Sequence, residues 1–309
     1  LTANAAKILK FAQEAAADGA EVAVFPEQAL CGYPPDDLVL RPSFMDAVAA
    51  EAEKLAAALP PNLLTIVGAP LREGGKLYNA ALLFLGGKQV AAAKKMLLPN
   101  YGVFDERRIF APGAAPLVHE FKGLRLAVHV CEDSWWPEGE SFRGLKGKCD
   151  VLVNLSASPY CRGREIDREE MARRAVAAAG APMLYTNILG GQDELVFDGG
   201  GLAVTSAGTV ATRTELFREG MLPVELELHG GRWEPAAGRM AELPGAVEEV
   251  YEALKLGLKD YVEKNGFPGV IVALSGGIDS ALVATISADA LGPNRVFGVT
   301  MPSTITSRD

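Results

Sequence analysis

Leu124-Arg125-Leu126-Ala127-Val128-His129-Val130-Cys131-Glu132-Asp133 carries a mostly apolar run straight into a cysteine. Two tryptophans, Trp135 and Trp136, follow at once. The run reads as a buried strand, and its end places a thiol where the strand gives way to a loop. In open α/β architectures ligands bind at the carboxyl ends of strands. A thiol in such a place serves as a nucleophile if a neighbour makes it a thiolate. A free cysteine is just as commonly a small buried hydrophobe, and these ten residues alone leave the two readings level.

Two other apolar runs end in polar groups. Ala23-Val24-Phe25-Pro26-Glu27 ends in a carboxylate, and Val90-Ala91-Ala92-Ala93-Lys94-Lys95 ends in a pair of lysines. A thiol, a carboxylate and an ammonium are what acyl transfer through a thioester needs. The carboxylate takes the thiol proton and later activates water. The ammonium favours the thiolate and then supports the tetrahedral oxyanion, with a backbone N–H as second donor. Each residue has a plainer reading: Glu27 as a solvated turn residue, Lys94 and Lys95 as a strand end facing water. Spacing alone does not bring the three together.

Working outward, Ala5 to Asp18 and Ser43 to Leu59 are predicted helices, the second with Ser43 as N-cap and Pro60-Pro61 ending it. Glu21–Phe25 and Leu63–Ala69 read as strands, and Leu77–Leu85 with Lys88–Lys95 as a hairpin over Gly86-Gly87. Leu117–Phe121 pairs with Leu124–Val130 over Lys122-Gly123. Val151–Leu155 is a strand, Ile166–Ala179 a helix and Met183–Leu189 a strand. Gly-rich hairpins then run to about Leu228. This mixture of hairpins and strand-helix-strand units is satisfied by two helix layers covering paired sheets. His229 to Glu242, with Gly230-Gly231, Pro235 and Gly238, reads as a linker. A helix over Ala246–Lys264, a strand over Val270–Leu274, a helix over Ala281–Leu291 and a strand over Val296–Thr300 then begin a doubly wound parallel sheet.

Composition sets the outer bounds. A length of 309 residues suggests about two domains. A net charge of -9 argues against nucleic acid as the main partner. No apolar run approaches the ~18 residues of a membrane span, and the alanine-rich N-terminus with Lys7 and Lys10 does not read as a signal peptide. Cys31, Cys131, Cys149 and Cys161 form no C-x-x-C pair, and the three histidines are widely spaced, so no metal site is expected. A reducing cytoplasm suits such a chain. It opens on a helix at Leu1 and stops at Asp309 shortly after a strand, which reads as a piece of a longer protein.

The segment Ala273-Leu274-Ser275-Gly276-Gly277-Ile278-Asp279-Ser280 links a buried strand to a helix. Two glycines permit a tight turn that offers backbone N–H groups to phosphate oxygens, and the helix adds its positive end. The spacing is not that of a Walker A loop.

Three segments together resemble a known superfamily. They are Phe25-Pro26-Glu27-x-x-Leu30-x-Gly32-Tyr33-Pro34, Lys95-x-x-Leu98-Pro99-Asn100-Tyr101-Gly102-Val103-Phe104-Asp105-Glu106 and Val130-Cys131-Glu132-Asp133-x-Trp135. They resemble the nitrilase superfamily and, more narrowly, the glutaminase domain of the glutamine-dependent NAD synthetases; the middle segment is what narrows it. The resemblance implies a nitrilase-like α-β-β-α sandwich over 1–228 with its first strand missing, a linker over 229–243, and the truncated start of an ATP-binding α/β domain over 244–309.

It implies Glu27 as general base, Lys95 as oxyanion support and Cys131 as nucleophile, with Lys94 one residue off the motif. Tyr101, Glu132, Ser158 and Arg164 fall where the family holds glutamine. By charge, Glu132 suits the α-ammonium and Arg164 the α-carboxylate. Cys161 stands where a histidine is more usual, Arg164 where a lysine is, and Gln28 and Cys31 are uncommon neighbours for Glu27.

The loop Ala273 to Ser280 resembles the Ser-Gly-Gly-x-Asp-Ser loop of ATP pyrophosphatases, which implies ATP with magnesium as a substrate and no tightly bound organic cofactor. Met301-Pro302-Ser303 resembles a segment near the dinucleotide in NAD synthetases. The implied partners are glutamine, ATP and deamido-NAD, together with further copies of the chain in a homo-oligomer. The implied activity is glutamine hydrolysis feeding ammonia, through a shielded passage, to an ATP-activated carboxylate. A stand-alone nitrilase-type amidase and an inert binding or scaffold chain are the rival readings.

Overall fold

The computed structural model describes residues 1–302; Ser303 of the Met301-Pro302-Ser303 segment lies outside them. The chain opens with α1 (Thr2–Ala17), β1 (Val22–Val24) and α2 (Pro42–Ala58). Pro42 rather than Ser43 begins α2, because the first helical position needs no N–H and suits a proline. Three long strands follow: β2 (Leu64–Glu73), β3 (Lys76–Leu85) and β4 (Lys88–Lys94). With β1 they form a four-stranded sheet in the order β1-β2-β3-β4.

The second sheet begins with the hairpin β5 (Leu117–Phe121) and β6 (Leu124–Val130), then β7 (Val151–Ser156), α3 (Arg164–Ala179) and β8 (Met183–Asn187). The expected strand Met183–Leu189 breaks at Ile188, whose N–H turns back to the Ser156 carbonyl. The pair β9 (Leu189–Gln192) and β10 (Leu195–Asp198) stands apart from it. With β11 (Gly201–Val204) and β12 (Val210–Arg213) the sheet order is β12-β11-β8-β7-β6-β5.

Alternation along the strands explains the layering, since successive side chains point to opposite faces. Leu64, Ile66, Ala81, Leu83 and Ala93 of the first sheet meet Leu126, Val128, Val130, Val151, Val153 and Leu155 of the second. Their neighbours of opposite parity face outward. Val67, Ala69, Leu82 and Phe84 pack on Ile8, Ala12, Val48 and Leu55 of α1 and α2. Ala127, Leu152, Met183 and Leu202 pack on Met171, Ala172, Ala175 and Val176 of α3. The result is an α-β-β-α sandwich. Burying each Val, Leu or Ile side chain contributes roughly 1.5–3 kcal/mol, which makes the layer between the sheets the rigid base of what sits at its edge.

Parallel pairing aligns strand ends. β6 pairs in parallel with β7, and β7 with β8. Cys131, Ser158 and Asn187 therefore leave the sheet at one edge. The parallel pair β1 and β2, with the end of β4, brings Glu27 and Lys95 to the same edge from the other sheet.

The span read as a linker is partly built into the structure. β13 (Leu226–His229) and β14 (Arg232–Pro235) form a hairpin over Gly230-Gly231, and residues 238–241 bond to β12 through Gly238, Arg239 and Ala241. The glycine pair that suggests a flexible spacer is a hairpin turn instead, in which both residues take positive φ. Then come α4 (Ala246–Lys264), β15 (Val270–Ala273), α5 (Ile278–Leu291) and β16 (Val296–Val299), with β15 and β16 parallel. α4 lies on β9: Asp260 accepts from the Gly191 N–H at 2.7 Å, and Lys264 donates to the Gly191 carbonyl at 2.6 Å. No helix among the described residues is long and apolar enough to cross a membrane.

Candidate active site

Glu27 and Lys95 meet in a fully buried ion pair. The Lys95 Nζ donates to Glu27 Oε1 at 2.7 Å and to Glu106 Oε1 at 2.8 Å. Asn79 Nδ2 donates to the same Glu27 oxygen at 2.6 Å, and the Ala157 N–H to the other at 2.7 Å. Tyr33 donates its hydroxyl to Glu106 Oε1 at 2.9 Å. One ammonium thus serves two carboxylates out of water. Burial works against its charge, but Glu106 and Glu27 outweigh it, and Lys95 is held well above the usual lysine range. Burial pushes the Glu106 carboxyl up.

Local backbone makes this approach feasible. Gly68 on β2 lies under the Glu27 turn, and a Cβ there would stand 2.2 Å from the Pro26 carbonyl and 2.5 Å from Glu27 Cα. No residue but glycine fits. Lys95 is pinned by its own backbone, donating N–H to the Asn79 carbonyl and accepting from the Gly113 N–H, both at 2.8 Å.

Cys131 follows β6 with φ 45°, a left-handed conformation that costs a non-glycine residue about 1 kcal/mol or more. A polar bed fixes it. Asn154 Nδ2 donates to the Cys131 carbonyl at 3.1 Å and to Ser134 Oγ at 2.7 Å. His129 bridges Ser134 Oγ and the Ser141 carbonyl, and burial lowers its pKa to about 4, so the imidazole is neutral. The Cys131 thiol is buried. Burial and the Glu27 charge push its pKa well up, Lys95 pulls it down, and Glu106 and Glu132 add to the rise. Cys131 is therefore a neutral thiol at rest. It lies within the electrostatic reach of the Glu27–Lys95 pair and needs a base to become a nucleophile.

At the rim, Tyr101 donates its hydroxyl to Glu132, with both carboxylate oxygens at 3.0 Å, and Trp136 Nε1 donates to Oε1 at 2.9 Å. Burial, then Glu132, pushes the Tyr101 hydroxyl up to about 12. The Arg164 guanidinium stands 5.7 Å from the Trp135 ring centroid, and its buried Nε has no partner among the described residues. The Ser158 N–H donates to Asn187 Oδ1 at 2.8 Å. The Ser158 carbonyl accepts from Arg168 at 2.9 Å, and Arg168 is fully buried in a two-bond pair with Asp198 at 2.7 Å on both arms.

All seven residues singled out around the thiol thus lie at one sheet edge, in two groups: Glu27, Lys95 and Cys131 deep, and Tyr101, Glu132, Ser158 and Arg164 around them. Lys94 points elsewhere, to Glu73 and over the Tyr78 ring. Glu106 stands within a sequence motif that gives no sign of its part. Asp133 likewise stands within a motif that gives no sign of its part, and Asn79, Asn154 and the Arg168–Asp198 pair carry no sequence signal at all. Burial is the property that marks them, and only the fold reveals it.

In the second unit α5 begins at Ile278, three residues earlier than expected. Asp279 and Ser280 are therefore in the helix's first turn, and the loop proper is Leu274 to Gly277. Ser280 Oγ donates to the Gly277 carbonyl at 3.0 Å and lies 3.2 Å from Ser275 Oγ. Gly276 has φ +85°. Among the described residues no cluster of three or more His, Cys, Asp or Glu side chains could hold a metal.

The carbon-nitrogen hydrolase family matches residues 1–232. This chain belongs to that family. The NAD synthase family matches residues 250–309. Among curated relatives, the glutamine-dependent NAD(+) synthetase of Synechocystis sp. is 40% identical over 98% of this chain and 57% of its own length. That of Rhodobacter capsulatus is 40% identical over 100% of this chain and 56% of its own. The solved glutamine-dependent NAD+ synthetase of Acinetobacter baumannii, in complex with ADP, superimposes with a TM-score of 0.93 at 33% identity, over 99% of this chain and 57% of the other. The chain spans just over half the length of the relatives it matches.

Proposed function

We propose that this chain is the glutaminase unit and the first nucleotide-binding segment of a glutamine-dependent NAD synthetase. Residues 1–228 form the glutaminase, 229–243 the connection, part of it folded back as strands, and residues from 244 onward begin the ATP-binding unit. The observation that carries the reading is the buried Glu27–Lys95 pair at 2.7 Å acting on the Cys131 thiol. The match over residues 250–309 favours it over a stand-alone amidase.

In this reading Glu27 takes the thiol proton as Cys131 attacks the carboxamide carbon of glutamine. Lys95 supports the oxyanion, the Glu27 proton leaves with ammonia, and a thioester remains. Glu27 then deprotonates water, which attacks the thioester and releases glutamate. Glu132 with Tyr101 receives the α-ammonium of glutamine, and Arg164 the α-carboxylate, beside Ser158. Ala273 to Ser280 bind the phosphates of ATP, which arrives with magnesium. AMP is transferred to the nicotinate carboxylate of deamido-NAD, pyrophosphate leaves, and ammonia displaces AMP to give NAD. Ammonia is mostly protonated at neutral pH, so a shielded path keeps it nucleophilic. A cytoplasmic homo-oligomer fits this role.

The test is glutamate release from glutamine by the purified chain, with labelling of Cys131 by a glutamine-analogue electrophile. We expect both, and loss of both in Cys131→Ala. An intact, folded chain that shows neither is the inert scaffold. In the complete synthetase, Cys131→Ala abolishes glutamine-dependent synthesis and spares synthesis from added ammonia; loss of both would make Cys131 structural.

A further inference from the structure

The Asp133 carboxylate, buried to 3% exposure, divides its bonds between two directions. Oδ2 accepts from the Val130 N–H at 3.2 Å, a local bond that closes the short turn Cys131–Ser134. Oδ1 reaches across to the other sheet, accepting from the Met96 N–H at 2.9 Å and the Leu97 N–H at 2.8 Å. Met96 and Leu97 directly follow Lys95, and Val130 directly precedes Cys131. One side chain therefore bridges the segment that carries the ammonium and the segment that carries the thiol. A helix-like turn needs only the local bond; the bonds spanning 36 and 37 residues have no part in capping it.

We propose that Asp133 is a positioning residue for the reaction, setting the Lys95 ammonium against the Cys131 sulfur. This rests on the glutaminase reading above. Among the described residues the Asp133 carboxylate bonds only to the Met96, Leu97 and Val130 N–H groups, and in that reading it touches neither substrate nor sulfur. Burial pushes its carboxyl up to about 7 while the Leu97 and Val130 N–H groups hold it down. Two of its three donors converge on one oxygen, a geometry an amide cannot reproduce in full. In Asp133→Asn one orientation keeps an oxygen for Met96 and Leu97 but aims an NH₂ at the Val130 N–H, and the flipped orientation does the reverse. Misplacing reacting groups by about 1 Å costs up to ~10²-fold in rate. In that reading Lys95 acts on the oxyanion, whereas Glu132 and Arg164 hold glutamine from other segments of the chain, so the loss belongs in kcat.

The experiment measures steady-state glutamate release and thermal melting for the intact chain, Asp133→Asn and Leu97→Pro. Leu97→Pro removes one of the donated N–H groups and leaves the carboxylate in place. We expect kcat to fall at least tenfold in Asp133→Asn and at least threefold in Leu97→Pro, with KM for glutamine within threefold of the intact chain. If Asp133→Asn does not fold, the Leu97→Pro value decides. A folded variant whose kcat stays within twofold overturns the inference, and so does a loss confined to KM. An intact chain inactive on glutamine overturns the glutaminase reading and this inference with it, whereas full activity in both the intact chain and the folded variants overturns only this inference.

Discussion

The two candidate sites are built on opposite terms. Around Cys131 every ionisable group that acts on the thiol is buried: Glu27 and Lys95 at 0% exposure, Glu106 at 4%, Glu132 at 6%. Around Gly276 and Gly277 the loop is open, Ile278 is 80% exposed, and the small parallel sheet leaves Ile271 at 76%. The first is built from charges whose mutual strength comes from the exclusion of water. The second offers backbone N–H groups and a helix end, whose directions are set by two glycines and need no burial to be present. Removing a charge should therefore damage the fold in the first region and hardly disturb it in the second.

The sharpest way to break that comparison is to remove the ammonium. Lys95→Met keeps volume and deletes the charge, leaving Glu27 and Glu106 buried side by side. Removing one partner of a buried ion pair typically costs about 3–5 kcal/mol. We expect a loss of that size in unfolding free energy by urea titration. Asp279→Asn, at the exposed start of α5, should change stability by less than about 0.5 kcal/mol. Equal effects in the two variants would show that burial is not what separates the regions.

The same contrast explains what the sequence made legible. Strands ending in Glu27, Lys95 and Cys131 were visible because apolar runs that stop in polar groups stand out in any reading. The sandwich followed from the alternation in Leu64 to Ala69 and Leu126 to Val130, and the Gly-rich turn between strand and helix from Ser275 to Ser280. What stayed hidden depends on contact at long range. Gly68 looked like an ordinary strand residue, and only the Pro26 carbonyl above it shows why it is glycine. Asn154 and Arg168 carry no local pattern, and Glu106 lies in a motif that gives no sign of its part; all three are fixed by partners 10 to 30 residues away or more. Gly230-Gly231 misled because a hairpin turn and a flexible spacer use the same residues.

Titration sharpens the comparison within the buried region, because two groups at the Cys131 turn pull stability in opposite directions. His129 takes a proton only near pH 4 in the fold but near 6.5 when unfolded. Between those values the unfolded chain binds more protons, so His129 makes stability rise with pH, by about 3 kcal/mol. Asp133 keeps its proton up to about pH 7 in the fold and loses it near 3.8 when unfolded. Between those two values it makes stability fall as pH rises, by about 4 kcal/mol in all. The remaining titrating groups are common to both variants. His129→Gln should therefore show a more steeply falling stability between pH 4.5 and 6.5 than Asp133→Asn, which should rise relative to it. Denaturant midpoints at several pH values measure this, and parallel profiles would mean that neither group is as desolvated as its surroundings imply.

The smallest expected effect lies in the open loop. Gly276 has φ +85°, and among the described residues nothing lies within 4 Å of where an added methyl would sit. Gly276→Ala therefore meets backbone strain and no clash. The cost of a left-handed alanine is about 1–2 kcal/mol, and much of it can be relieved because the loop is exposed. Gly68→Ala, by contrast, forces a methyl into the Pro26 carbonyl and the Glu27 backbone and has nowhere to relax. Melting of the two variants should separate them clearly, with Gly276→Ala near the intact chain and Gly68→Ala well below it. Phosphate recognition should invert the order: reorienting the N–H groups of Gly276 and Gly277 weakens ATP binding, while Gly68→Ala, if folded, leaves it unchanged. A Gly276→Ala chain that binds ATP normally would mean that the loop's backbone is not the phosphate cradle, and that the helix end alone holds the nucleotide.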